Sequence, residues 1–272
     1  MGINRLQQLQ EFQQFAPNLY QQLINYKKKN FWHLFLNFSK QTQVLFLAEL
    51  HGTNEVPKLA QDLLKELRKD NYSLLALEIP KYHHESISQF LETGKLKDLE
   101  RGFKGGGNIA HFQTSSHIKL VYEAHHLGYR LGFFGMSHDQ PVETDIDRDT
   151  HFSNNFLSLW KSFGYPKTVV YCGISHASYD EGRMASLLRG KLHSLSVVCL
   201  AANGHFLNLG RIEKVGVGED ESPYGKLIEL ARPDIKYGFF DLRHDNSLRS
   251  FGDGLIYIKN ISASSLPKRG FF

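Results

Sequence analysis

Val44-Leu45-Phe46-Leu47-Ala48-Glu49-Leu50-His51-Gly52-Thr53 decides the fold, because it joins an apolar run to a compact polar cluster. It reads as a buried strand that ends in chemistry. After it come Asn54-Glu55-Val56-Pro57 and then Leu59, Ala60, Leu63, Leu64 and Leu67, an apolar stripe at helical spacing with proline confined to the first turn. Leu74-Leu75-Ala76-Leu77 is a second apolar run, again ending in a charged residue, Glu78, before Ile79 and Pro80. Strand, helix, strand is a βαβ unit, whose strands are parallel and whose ligands sit beyond the carboxyl ends. His51 and Glu78 are therefore expected on one edge of a sheet.

The pattern repeats downstream. Leu131-Gly132-Phe133-Phe134 ends in Ser137-His138, Thr168-Val169-Val170-Tyr171-Cys172 ends in Gly173-Ile174-Ser175-His176, and Leu195 to Ala201 precedes Asn203-Gly204-His205. Gly238 to Leu242 and Leu255 to Ile258 are two further β candidates. Helical periodicity covers Ser116 to Leu127 and the stretch with Phe152, Phe156, Leu159 and Phe163, before which Asp147 or Asp149 reads as a cap. Residues 5 to 40 carry apolar positions at helical spacing broken at Pro17 and at Lys27-Lys28-Lys29-Asn30. The expected fold is α/β: a central, largely parallel (mixed) sheet with helices on both faces, one domain over residues 1–272, with 1–40 as an N-terminal helical annex. Lys81 to Ser115, with His83-His84 and Gly105-Gly106-Gly107, reads as a long irregular stretch facing the strand ends.

Thirty-two basic against 28 acidic residues give +4, dispersed without a nucleic-acid footprint. No run approaches a membrane span and the N-terminus lacks the apolar core of a secretory signal. Cys172 and Cys199 both fall inside apolar runs and read as buried thiols. These features suit the cytoplasm and leave open export by specialised machines, whose signals composition does not display. Fourteen histidines, several just after strands, raise the weight of acid-base or metal chemistry.

The strand ends collect Glu49, His51, Glu78, His138 and His176, and Arg148 stands at a helix start, where a cation gains nothing from the helix dipole. Carboxylates, imidazoles and a guanidinium suit a histidine base acting on water, or a divalent metal held by His51, Glu78 and His176, with arginine opposite negative charge on oxygen. Ala48-Glu49-Leu50-His51-Gly52-Thr53 resembles the GExxHG segment of erythromycin-esterase-like proteins, with Ala48 in place of its first glycine. Arg148-Asp149 resembles their Arg-Asp segment. Gly173-Ile174-Ser175-His176 resembles the Gly-x-x-His motif of the wider superfamily that includes the TIKI/TraB and ChaN-type haem-binding proteins. The resemblance covers residues 44 to 180 and implies a site at His51, Glu78, Arg148 and His176. For activity it implies ester or amide hydrolysis of a small-molecule or peptide substrate, with metal-dependent peptide cleavage, haem or metal binding without turnover, and a toxin or effector role as alternatives.

Overall fold

The computed structural model describes residues 5–27, 31–105, 113–136, 143–203, 223–262 and 264. Three helices open the chain: α1 (Arg5–Phe15), α2 (Pro17–Ile24) and α3 (Phe31–Ser39). Then β1 (Val44–Glu49), α4 (Glu55–Lys69) and β2 (Leu74–Pro80) form the expected βαβ unit. Short helices α5 (His83–Ser86), α6 (Ser88–Thr93) and α7 (Leu96–Gly105) lead to α8 (Ser115–His126), β3 (Arg130–Gly135), α9 (Asp145–Ser162) and β4 (Thr168–Gly173). The chain continues through α10 (Ile174–Ala177), α11 (Met184–Arg189), β5 (Ser194–Asn203), α12 (Pro223–Ala231), β6 (Tyr237–Asp241) and β7 (Gly254–Asn260).

The seven strands form one sheet in the order β3-β2-β4-β1-β5-β7-β6. Every pairing is parallel except that of β6 with β7 at one edge. β1 and β2 are parallel as expected but are not neighbours, because β4 lies between them. Side-chain alternation along each strand sorts the core into two layers. Leu45, Leu47, Leu75, Leu77, Val169 and Tyr171 face one layer. That layer also holds Phe35 of α3, Leu63 of α4, Phe90 of α6 and Ile118 of α8. Phe46, Ala76, Val170 and Cys172 face the other, where they meet Phe12 of α1, Leu19 of α2, Phe156 of α9, Met184 of α11 and Ile228 of α12. The sheet is thus covered by helices on both faces.

Topology then places the site. From β1 the chain travels over β4 to β2 and on to β3 with its helices on the first face, and it returns from β3 to β4 and β5 on the second face. Right-handed crossovers require this change of face when the direction of travel reverses. Adjacent strands β1 and β4 consequently send their connections to opposite faces, which opens a crevice at their carboxyl ends. His51 follows one of those strands and His176 the other.

The stretch expected to be irregular is largely helical from His83 to Gly105. Ile87, Phe90, Leu99 and Phe103 are all fully buried there, but they are distributed over helices too short for a periodic stripe to show. Of the three glycines, Gly105 ends α7, and Gly106 and Gly107 lie outside the described residues, as does His138. Both cysteines are free and buried, as read. Among the described residues no helix is long and apolar enough to cross a membrane.

Candidate functional site

Glu49 is the last residue of β1 and pairs in register with Gly173, the last of β4. Continuing the alternation of Leu45 and Leu47, its side chain turns to the first face, where His117 of α8 and Tyr171 meet it. His51 follows two residues later, and its Nδ1 lies 2.7 Å from Glu49 Oε1. Gly52, at φ +73°, then turns the chain toward α4, a conformation that L side chains resist. The Glu49 carboxyl is fully buried, while the His51 side chain keeps 33% of its surface exposed. Burial works against an ionised Glu49, but the imidazoles of His51 and His117 outweigh it and hold the carboxyl well below its usual range. Burial likewise disfavours a charged His51, and Glu49, with Glu78 at longer range, prevails and raises its pKa above 6.5.

Glu78 continues the alternation of Leu74 and Ala76, so it turns to the second face. Its Oε2 accepts the Gly173 backbone N–H at 2.8 Å, and its Oε1 lies 3.3 Å from His176 Nε2. His176 Nδ1 in turn donates to Asp149 Oδ1 of α9 at 2.8 Å. Asp149 is completely buried and also accepts from the Met184 backbone N–H at 2.8 Å and from Arg183 Nη1 at 3.3 Å. Burial resists both charges of this chain. The carboxylates nonetheless raise the His176 pKa to about 9. In return His176, His51 and the Gly173 N–H bring Glu78 down to about 2.

The two halves meet at Gly173. A Cβ there would lie 2.5 Å from His51 Nε2, so the imidazole rests directly over this backbone. With Nδ1 donating to Glu49, Nε2 is the nitrogen left with a lone pair, and it is carried on the one ring of the site that reaches solvent.

Four of the expected residues, Glu49, His51, Glu78 and His176, are therefore gathered at one edge of the sheet. Arg148 stands apart from them on the first turn of α9, with its Nη2 3.0 Å from Asp145 Oδ1. Asp149 is not a helix cap. Thr144 caps α9 and forms a reciprocal box with Asp147, which frees Asp149 to enter the buried chain with His176. His117 and Tyr171 went unread because each sits in an apolar pattern; the available signal was a polar group on an otherwise buried face. His83 is buried beside Tyr82 and Phe103, and His84 lies edge-on to Phe133. The C-terminal residues were also silent in sequence. Here they clasp the His51 loop: Ser264 N–H donates to Gly52 O at 2.7 Å, and Ser262 N–H to Glu55 Oε2 at 2.7 Å.

A metal shared by His51, Glu78 and His176 would need a lone pair from each. His176 offers neither nitrogen to such an ion, since Nε2 lies 3.3 Å from Glu78 Oε1 and Nδ1 lies 2.8 Å from Asp149 Oδ1. Among the described residues no group of three His, Cys, Asp or Glu side chains is disposed to hold a metal ion. The donor set does not fit the expected metal.

No protein-family model and no curated protein sequence matches the chain. Solved structures do. A Bacillus cereus protein superposes with a TM-score of 0.71 at 12% identity, covering 98% of this chain and 100% of that one. A succinoglycan biosynthesis protein gives the same values. A mutant of the erythromycin esterase EreC in its open conformation superposes with a TM-score of 0.67 at 9% identity, over 86% of this chain and 95% of that one. These likenesses establish the fold, and the EreC match agrees with the fold that the sequence motifs implied.

Proposed function

We propose that this protein hydrolyses an ester or amide bond with His51 as the general base. The observation that carries the reading is the His51 ring itself, with Nδ1 fixed on a buried carboxylate and Nε2 presented above Gly173 at the crevice between β1 and β4. Nε2 takes a proton from water, the resulting hydroxide adds to the substrate carbonyl carbon, and the same proton passes to the leaving alcohol or amine as the tetrahedral adduct collapses. Glu49 holds the ring in its Nδ1–H tautomer and stabilises the imidazolium formed in the first step. Glu78, His176 and Asp149 fix the floor of the site through the Gly173 N–H. That an esterase, EreC, shares the fold supports the choice of bond.

The test is hydrolysis of a panel of p-nitrophenyl and aryl amide substrates by the wild type and by His51→Ala. Turnover that rises with pH through the His51 pKa and disappears in the variant is expected. Turnover that survives in folded His51→Ala contradicts the proposal.

A further inference from the structure

Arg183 belongs to no motif discussed above, yet it lies beside the site and shares a partner with Arg148. The Asp145 carboxylate is gripped by both guanidiniums, one oxygen each. Arg148 Nη2 is 3.0 Å from Oδ1, and Arg183 Nη1 is 3.5 Å from Oδ2. The arginines come from different elements, the first turn of α9 and the residue that precedes α11. The two segments touch, since a Cβ on Gly182 would lie 2.9 Å from Ile146 Cγ1. Arg183 is held in place from behind by Asp149 Oδ2 at 3.3 Å, and the other oxygen of Asp149 binds His176. A continuous series of contacts therefore runs from the exposed Asp145 through Arg183 and Asp149 to His176 and Glu78.

Three properties separate this arrangement from an ordinary surface ion pair. Arg148 pairs with Asp145 at i,i+3 near a helix start, where the dipole disfavours a cation, so helix stability accounts for its position only in small part. Its Nε is buried without a hydrogen-bond partner among the described residues, so no bond from that nitrogen fixes the guanidinium on Asp145. The shared carboxylate is the most exposed member of the set, with 61% of the Asp145 side chain open to solvent, and an ion pair that open is weakly held. Two converging guanidiniums are the geometry that recognises a planar oxyanion, and a tethered carboxylate occupies it here.

We propose that Arg148 and Arg183 form a subsite for a carboxylate on the substrate, and that Asp145 is the internal stand-in which that carboxylate displaces. The inference rests on the hydrolase reading and gives it a substrate class: esters or amides that carry a carboxylate remote from the scissile carbonyl. The remoteness follows from the Asp149 carboxylate and the His176 ring, which stand between Arg183 and Glu78.

The experiment uses p-nitrophenyl monoesters of straight-chain dicarboxylic acids from succinate to sebacate, each beside its neutral methyl diester, with wild type, Asp145→Asn, Arg183→Ala and Arg148→Ala. In the wild type the expected KM for the free acids passes through a minimum at one chain length, at least tenfold below that of the matched methyl ester. Asp145→Asn deepens the minimum about threefold to tenfold and leaves the neutral series unchanged. Either arginine variant abolishes the difference between the two series. Equal KM values for acids and methyl esters, or an Asp145→Asn variant that shifts both series alike, overturns the subsite. Should no ester of either charge be cleaved, the hydrolase reading fails separately, and the subsite is then judged by calorimetric titration with the free dicarboxylates. Saturable binding strengthened in Asp145→Asn and lost in Arg183→Ala sustains it, and absence of binding overturns it.

Discussion

His51 and His176 each sit beside buried carboxylates at the end of the same pair of strands, yet they lie on opposite sides of the sheet and are built for different tasks. On the first face, His51 binds Glu49 through Nδ1, sets Nε2 over Gly173, and leaves part of its ring open to solvent. On the second, His176 has a carboxylate on each nitrogen and is sealed from solvent. An imidazole with a carboxylate on one nitrogen and part of its surface open to solvent can exchange a proton within a reaction, whereas one clamped by carboxylates on both sides holds a charge and fixes geometry. What separates the two is the number of carboxylates each ring meets: strand alternation gives each face one glutamate, Glu49 or Glu78, and α9 adds Asp149 on the second face alone.

Substitution should break the comparison most sharply at His51. His51→Ala is expected to reduce hydrolysis by roughly 10²- to 10⁴-fold, while chemical denaturation shows a smaller loss than at His176, because the one carboxylate it strands, Glu49, keeps His117 beside it. The reverse profile is expected at the other ring. His176→Ala leaves Glu78 buried without its cation and Asp149 with Arg183 alone, and should cost about 3–5 kcal/mol in a urea titration. If the two variants proved alike in both measurements, the division of labour between the faces would be lost.

Gly173 is where the halves touch, so Gly173→Ala sharpens the boundary between them. The new methyl carbon would fall 2.5 Å from His51 Nε2 and must move the ring. Activity should drop by about 10²-fold with Glu78 still bonded to the backbone N–H, because misplacement of the base by about 1 Å is enough. Unchanged turnover in this variant would show that Nε2 is not used.

A smaller effect separates the faces by pH. His176 is raised to about 9 from 6.5, so its contribution is complete below pH 6.5 and is lost as pH rises through about 9. Glu78 is lowered to about 2 from 4.5, so its contribution is present above pH 4.5 and is lost as pH falls through about 2. Stability from this pair should be flat between pH 4.5 and 6.5 and decline on either side by an amount on the order of 3 kcal/mol. Urea midpoints measured from pH 3 to 10 would show it, and a midpoint that climbs steadily past pH 9 would not agree.

The first face was largely legible from sequence, and the second only in part. Glu49 and His51 are contiguous with a six-residue apolar strand, so their place at its end could be read directly. The same holds for Glu78 and for His176 after β4. Asp149 was misread because an aspartate near a helix start is ordinarily a cap, and only the fold reveals that Thr144 and Asp147 already fill that role. Arg183 precedes a six-residue helix and carries no pattern at all. His117 and Tyr171 lie on surfaces whose apolar periodicity hides them. The insertion of β4 between β1 and β2 was also unreadable, since adjacency in a parallel sheet depends on crossovers that local periodicity does not encode.

The most direct test of the account is a histidine-resolved NMR titration that follows ring tautomer and protonation at His51 and His176 in the same sample. His51 is expected to titrate above 6.5 but before His176, and to carry its proton on Nδ1 once neutral. Its pKa should fall in Glu49→Gln, while His176 stays doubly protonated until about pH 9. An Nε2–H tautomer at His51, or a His176 that deprotonates first, would contradict the assignment of base and scaffold to the two faces.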